Sequence, residues 1–226
     1  MNKLFDLNNP FFAFLGKLAD LVILSFLWFL CSIPVITIGP ATSALYYVAL
    51  KLARKEEVQV TSCFFKGFKE NLKQGIAYSF IFVILGVAGV FDYLIALGMP
   101  GTAGTVCSGI FFALGIWLLC TAYYTFPLQA QFYNTIKQTL INAMILAARK
   151  FPMTVLVFGI NIIPAVLFLW ATDMFLLSAP IWVLVYPGLS AFLCSMMFAK
   201  VFDPLIEAAT GKKPGVEAPV EDEETE

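Results

Sequence analysis

The sequence contains no histidine. That removes the commonest general base and the commonest metal ligand. Charge is scarce as well. Only 13% of residues are Asp, Glu, Lys or Arg, against about 25% in an ordinary soluble domain. A deficit of that size leaves too few charged groups to build a water-facing exterior, so lipid must be the outer solvent for much of the surface. The net charge of −1 points to neither nucleic acid nor an acidic substrate. The five cysteines form no Cys-x-x-Cys pair and are odd in number, so neither a disulfide framework nor a zinc site is expected. No phosphate-cradling Gly-x-x-x-x-Gly-Lys occurs, and Gly211-Lys212-Lys213-Pro214 is only a turn in the tail. Cys107-Ser108-Gly109 lacks the first glycine of a nucleophile elbow and has no partner base. The expectation is a non-enzymatic protein without a cofactor.

What the sequence does have is one long uncharged stretch between Asp20 and Lys51. It exceeds the roughly 20 residues that one membrane crossing needs. Pro34 and the Gly39-Pro40 pair interrupt it, and proline inside a helix removes a backbone bond and clashes with the preceding turn. The stretch reads as a hairpin: a helix to about Ile33, a turn over 34–39, then a helix with Pro40 at its first position. The segment before it mixes Phe5, Leu7, Phe11 and Phe12 with Lys3, Asp6 and Lys17. It reads either as an interfacial helix starting at Asn8-Asn9-Pro10 or as a plain leader into the first span, and it lacks a signal-peptide cleavage pattern.

Charged residues punctuate the remainder. A polar loop over 51–74 is expected to hold a short amphipathic helix capped by Thr61 or Ser62. Spans follow at roughly 75–97 and 105–130, joined by a turn at Met99 to Gly104, the second ending near Phe126-Pro127. A helical pattern runs through Ile136, Leu140, Ala143, Met144 and Ala147. Further apolar runs cover Phe151 to Ala171 and Met174 to Ala199, the latter with Pro180 near its start. The predicted fold is therefore all-α: a polytopic membrane helical bundle of about six helices, the second short or re-entrant, with cytoplasmic amphipathic connectors. One transmembrane domain spans 1–210. An acidic tail over 211–226 is expected to be disordered.

Connectors 51–74, 131–150 and 200–213 hold six, three and three basic residues, whereas those near 98–104 and 172–178 hold none. Basic connectors face the cytoplasm by the positive-inside rule, which puts the C-terminus of this multi-pass protein there. A full hairpin gives six spans with both termini inside. A second limb lying along the surface gives five spans and an outer N-terminus.

Three residue sets are candidates for function. The first is a polar pocket of Asn161, Tyr123, Gln129, Asp92 and Asp173, since polar groups at membrane depth mark pathways. Interhelix glue, or acids at the headgroup level, explains the same residues. The second is the set of helix breaks at Pro34, Gly39, Pro40, Pro127 and Pro164, of the kind that transporters place at midplane. The third is a partner-docking face of Phe64, Phe65, Lys66, Phe68, Lys69 and Lys73, with Arg149 and Lys150. Plain topology signalling also accounts for these basic residues. The docking reading of this set takes either a cytoplasmic protein or the anionic lipid of the bilayer as its partner, and nucleic acid is not expected.

Residues 18–57, followed by FFKGFKENLKQ at 64–74, resemble the YesL-like family of bacterial integral membrane proteins, a domain of unknown function. The likeness rests on order: Leu-Ala-Asp before the span, Ser-Ile-Pro and Thr-Ile-Gly at the turn, Ala-Leu-Tyr-Tyr in the return helix, then the Phe-rich basic segment. FPLQAQF at 126–132 and RKFP at 149–152 resemble a second recurring segment, in which arginine is common where Gln131 stands here. Such proteins are encoded beside carbohydrate ABC importers. The resemblance thus implies an accessory subunit that packs against a sugar importer's permease subunits. The chain lacks the permeases' Glu-Ala-Ala loop and any nucleotide-binding motif. The alternative is a small secondary transporter or channel for a sugar or ion.

Overall fold

The computed structural model describes residues 10–211. The expectations for the first nine residues and for the acidic tail beyond Gly211 lie outside the described residues. What is described is all-α: α1 Pro10–Ser32, a 3-10 turn Val35–Thr37, α2 Ile38–Ala53, α3 Val60–Gly98, α4 Gly101–Gln131, α5 Ile136–Arg149, α6 Phe151–Trp170, α7 Thr172–Leu177, α8 Ala179–Leu184 and α9 Tyr186–Thr210. Among the described residues, six helical stretches are long and apolar enough to cross a membrane, the 3-10 turn and α2 together counting as one of 19 residues, Val35–Ala53. The molecule is a polytopic helical membrane bundle.

The opening hairpin forms as its prolines dictate. α1 stops at Ser32, and Pro34 takes an extended conformation ahead of the 3-10 turn. The Thr37 hydroxyl caps the end of α1 by donating to the Cys31 carbonyl at 2.6 Å. α2 begins at Ile38, so Pro40 is its third residue and not its first. The shift is tolerated because none of the first four N–H groups of a helix has an intrahelical partner.

Three other expectations are corrected. The segment 51–74 is mostly not a loop. α3 starts at Val60, with Gln59 in the cap position, and runs unbroken for 39 residues, about 58 Å. Thr61 and Ser62 cap nothing. Lysines on one face of a helix read as a connector, yet nothing between Lys66 and Gly98 breaks the backbone. α4 likewise continues through Pro127 to Gln131. The last apolar run is three helices, because the chain breaks at Ser178 and Val185. The second helix is short, as expected: sixteen residues, about 24 Å against a hydrocarbon core of about 30 Å.

α2 is the centre of the fold, with ten of its sixteen residues buried. It lies antiparallel against α3 in a register set by glycines. Gly39 sits on Gly75 and Gly67 on Tyr47. A Cβ on Gly75 would stand 2.7 Å from the Pro40 nitrogen, and one on Gly67 would stand 2.8 Å from the Tyr47 ring. The Gly39 N–H donates to Ser79 Oγ at 2.9 Å, so the crossing also satisfies a free amide at the start of α2. This register places all of α2 beside residues 61–76 of α3, the stretch whose outer face carries exposed Lys66, Lys69, Glu70 and Lys73.

The bundle therefore has two unlike halves. The compact half comprises α2, α5, the start of α3, and the ends of α4 and α9. Its spine is aromatic: Phe198 and Phe202 of α9 stack at 5.6 Å, with Tyr46, Tyr124 and Phe132 set edge-on against them. The other half consists of the far portions of α3, α4 and α6. Val83, Leu94, Ile110, Leu114 and Leu169 there are all exposed, as lipid-facing residues must be. α5 is launched by a capping box, in which the Thr135 side chain and Gln138 satisfy each other's backbone amides.

Candidate functional site

A half-open cleft of about 350 Å³ lies between α1, α2, α4, α6 and α9. Trp28, Tyr46, Tyr123 and Tyr186 supply aromatic walls. Thr42, Asn161 and Ser190 supply polar points. No charged residue lines it. Most of its polar groups are already engaged. Trp28 Nε1–H donates to Thr42 Oγ1 at 3.1 Å, and that hydroxyl donates to the Ile38 carbonyl at 2.7 Å. Asn161 Nδ2 donates to the Val157 carbonyl at 2.8 Å and lies 3.6 Å from Cys194 Sγ.

Pro164 shapes this wall. Lacking an N–H, it leaves the Ile160 carbonyl without its helical partner. The Tyr186 hydroxyl donates to that carbonyl, tying the break in α6 to the start of α9. Tyr186→Phe should cost about 1 kcal/mol or more, because it orphans a carbonyl away from water. In a Pro164→Ala background the helix regains its own bond, and the same change should cost far less. Detergent unfolding midpoints of the four proteins read the difference, and equal costs in both backgrounds would refute the coupling.

Below the cleft, Gln129 forms a separate clamp. Ser43 Oγ donates to its Oε1 at 2.7 Å, and its Nε2 donates to the Asn71 carbonyl at 3.0 Å. One amide thereby joins α4, α2 and α3. At the end of α2 stands Arg54, whose side chain is only 6% exposed. Its Nε donates to Asp203 Oδ1 at 3.0 Å and its Nη1 to Gln131 Oε1 at 2.8 Å. Nη2 lies 2.8 Å from the same Asp203 oxygen, close enough for ion pairing but out of line for a hydrogen bond. The polar Gln131 thus serves as a ligand to a cation supplied from another helix.

Of the polar set drawn from the sequence, the structure brings Asn161 and Tyr123 together in the cleft. Gln129 lies in its own clamp. Asp92 and Asp173 are exposed and line no part of the cleft. Of the helix breaks, Gly39 and Pro40 form the α2 crossing, Pro34 precedes the 3-10 turn, and Pro127 and Pro164 lie within continuous helices. Of the docking set, Phe65, Lys66, Lys69, Lys73, Arg149 and Lys150 are exposed. Phe64 is fully buried and Phe68 half-buried, stacked on it at 6.3 Å. Trp28, Tyr186, Arg54 and Asp203 were not expected in these roles. Only the Pro164–Ile160 spacing of four hints at one of them. Among the described residues, no three His, Cys, Asp or Glu side chains gather as a metal site.

Fold and site together define an all-α polytopic membrane protein organised on a short buried second helix. Residues 21–93, which hold α2 and most of α1 and α3, match a family model described as a protein of unknown function, DUF624. That is the stretch carrying most of the YesL-like resemblance, which accordingly stands. No curated protein and no solved structure matches the chain.

Proposed function

We propose that this is a non-enzymatic accessory membrane subunit of a carbohydrate ABC importer, packed against the importer's permease subunits. The family resemblance supplies the importer. The observation that carries the packing role is a set of unused glycines. Gly86 and Gly89 of α3, and Gly109 and Gly115 of α4, have open space where a side chain would be. Glycine inside a helix is destabilising by roughly 0.5–1 kcal/mol, and in membrane helices small residues mark surfaces where another helix comes close. Gly86 also lies in an exposed apolar groove with Phe82, Val83 and Val90. Permease subunits should co-purify with the intact protein in mild detergent and be lost from Gly86→Leu/Gly89→Leu. Recovery of the protein alone, with sugar uptake unchanged on its deletion, would defeat this reading.

In this role the chain lies in the cell membrane with its basic connectors and the end of α9 on the cytoplasmic side. α2 is a re-entrant limb and not a sixth crossing. Placing it across the hydrocarbon would carry Lys66, Lys69 and Lys73 in with it, at about 2.5–3.5 kcal/mol for each one near the centre. Residues 76–98 of α3, by contrast, measure about 34 Å and can cross alone. The second reading, a small secondary transporter or channel, has the cleft in its favour. Reconstituted flux abolished by Asn161→Ala would support it.

A further inference from the structure

The cleft has a definite depth. Through Gln129, α4 is level with Asn71 of α3, so Leu119 stands ten residues higher, about 15 Å. On α2, the register puts Thr42 level with residue 72 of α3, next to Lys73. On the same register Leu45 and Tyr46 stand level with Lys69 and Phe68, so the cleft starts in the layer of the lysines and rises to where α3 is apolar. In a bilayer that layer holds the polar necks of lipids, and amphipathic rings such as Trp28 and the three tyrosines are at home there. Leu119 both lines the cleft and is exposed, so the cleft opens onto the apolar surface.

Two polar points inside remain open. Among the described residues nothing hydrogen-bonds the Tyr123 hydroxyl, and nothing donates to Asn161 Oδ1. Pro127 also withholds the amide that would bond the Tyr123 carbonyl. A donor and acceptors without protein partners, in a cleft with no charge and mostly aromatic walls, specify the occupant's chemistry. The head must be uncharged and must both donate and accept hydrogen bonds. The body must be apolar. Water alone fits poorly against such walls, and an anionic head would lie in the cleft without a cation to pair with.

We propose that this cleft binds one uncharged, hydroxyl-bearing lipid of the diacylglycerol kind, drawn laterally from the leaflet nearest the lysines, with its hydroxyl between Tyr123 and Asn161. This goes beyond the accessory role and stands whether or not that role does.

Trp28 is the reporter. In a protein carrying Trp117→Phe, Trp170→Phe and Trp182→Phe, reconstituted in phosphatidylcholine, a diacylglycerol with chain-brominated tails should quench Trp28 saturably, at a few mole per cent. Brominated phosphatidylcholine and brominated phosphatidylglycerol should quench only in proportion to their amount. Tyr123→Phe/Asn161→Leu should raise the half-saturating fraction at least five-fold. Native mass spectrometry of the unaltered protein with added dioleoylglycerol, which does not depend on the tryptophan variant folding, should show a single retained molecule. Proportional quenching by the neutral lipid, equal saturation by the anionic one, an unchanged double variant, or no retained diacylglycerol would each overturn the assignment.

Discussion

Gly75→Ala should lower the unfolding midpoint in detergent by about 4–8 °C, and Gly75→Leu should yield little folded protein. The added methyl meets the backbone of Pro40 at 2.7–2.8 Å. Backbone does not yield as the end of a flexible side chain does. The whole of α2 must therefore move off α3, lengthening the bond from the Gly39 amide to Ser79 and loosening the buried face of α2. Overpacking of this kind costs about 1–3 kcal/mol, and about 2 kcal/mol corresponds to that temperature range in a chain of this size. Gly39→Ala should behave alike, since its Cβ would strike Ser79 Oγ and the Gly75 carbonyl. Gly86→Ala is the control. It lies on the same helix in open space and should be neutral or slightly stabilising. Equal behaviour of Gly75→Ala and Gly86→Ala would show that the crossing does not anchor the fold.

The second large effect is expected at the Arg54 pair, and it should be asymmetric. Asp203→Ala leaves a guanidinium that is 6% exposed with only the neutral Gln131 oxygen against it. Arg54→Met leaves a carboxylate that is 35% exposed and can turn to water. Breaking a fully buried pair costs about 3–5 kcal/mol. The partial exposure of Asp203 reduces this to about 1–3 kcal/mol for Asp203→Ala, with less for Arg54→Met. The double variant Arg54→Met/Asp203→Leu should recover most of the loss, because no unpaired charge remains. Thermal unfolding of the three variants checks the order, and a double variant worse than either single change would contradict it.

The sequence revealed the elements whose cause is local. Pro34 and the Gly39-Pro40 pair mark the hairpin, Met99-Pro100 marks the α3–α4 turn, and uncharged runs mark the crossings. It concealed whatever depends on a partner far along the chain. The unbroken α3 was hidden because the lysines that make residues 62–73 look like a connector sit on one face, while Phe64 and Gly67 on the other are buried against α2. The breaks at Ser178 and Val185 carry no glycine. The capping box of α5 is written plainly as Thr135-x-x-Gln138, a signal that apolar spacing does not use. Of the cleft, Asn161 and Tyr123 stood out as polar residues in apolar runs. Trp28 and Tyr186 did not, since an aromatic in a membrane helix is ordinary until a neighbouring helix supplies its hydrogen-bond acceptor. Arg54 reads as one more basic loop residue until Asp203, 149 positions later, is folded against it.

The glycine crossing also bears on how this protein can diverge. Exposed positions in the lipid-facing half can exchange one apolar side chain for another of almost any size, because nothing rigid stands beside them. Gly39, Gly67 and Gly75 cannot accept a single methyl without displacing a neighbour. Related chains should therefore drift fastest beyond α3 and stay recognisable around α2. All three glycines fall inside residues 21–93, the segment that the family model matches.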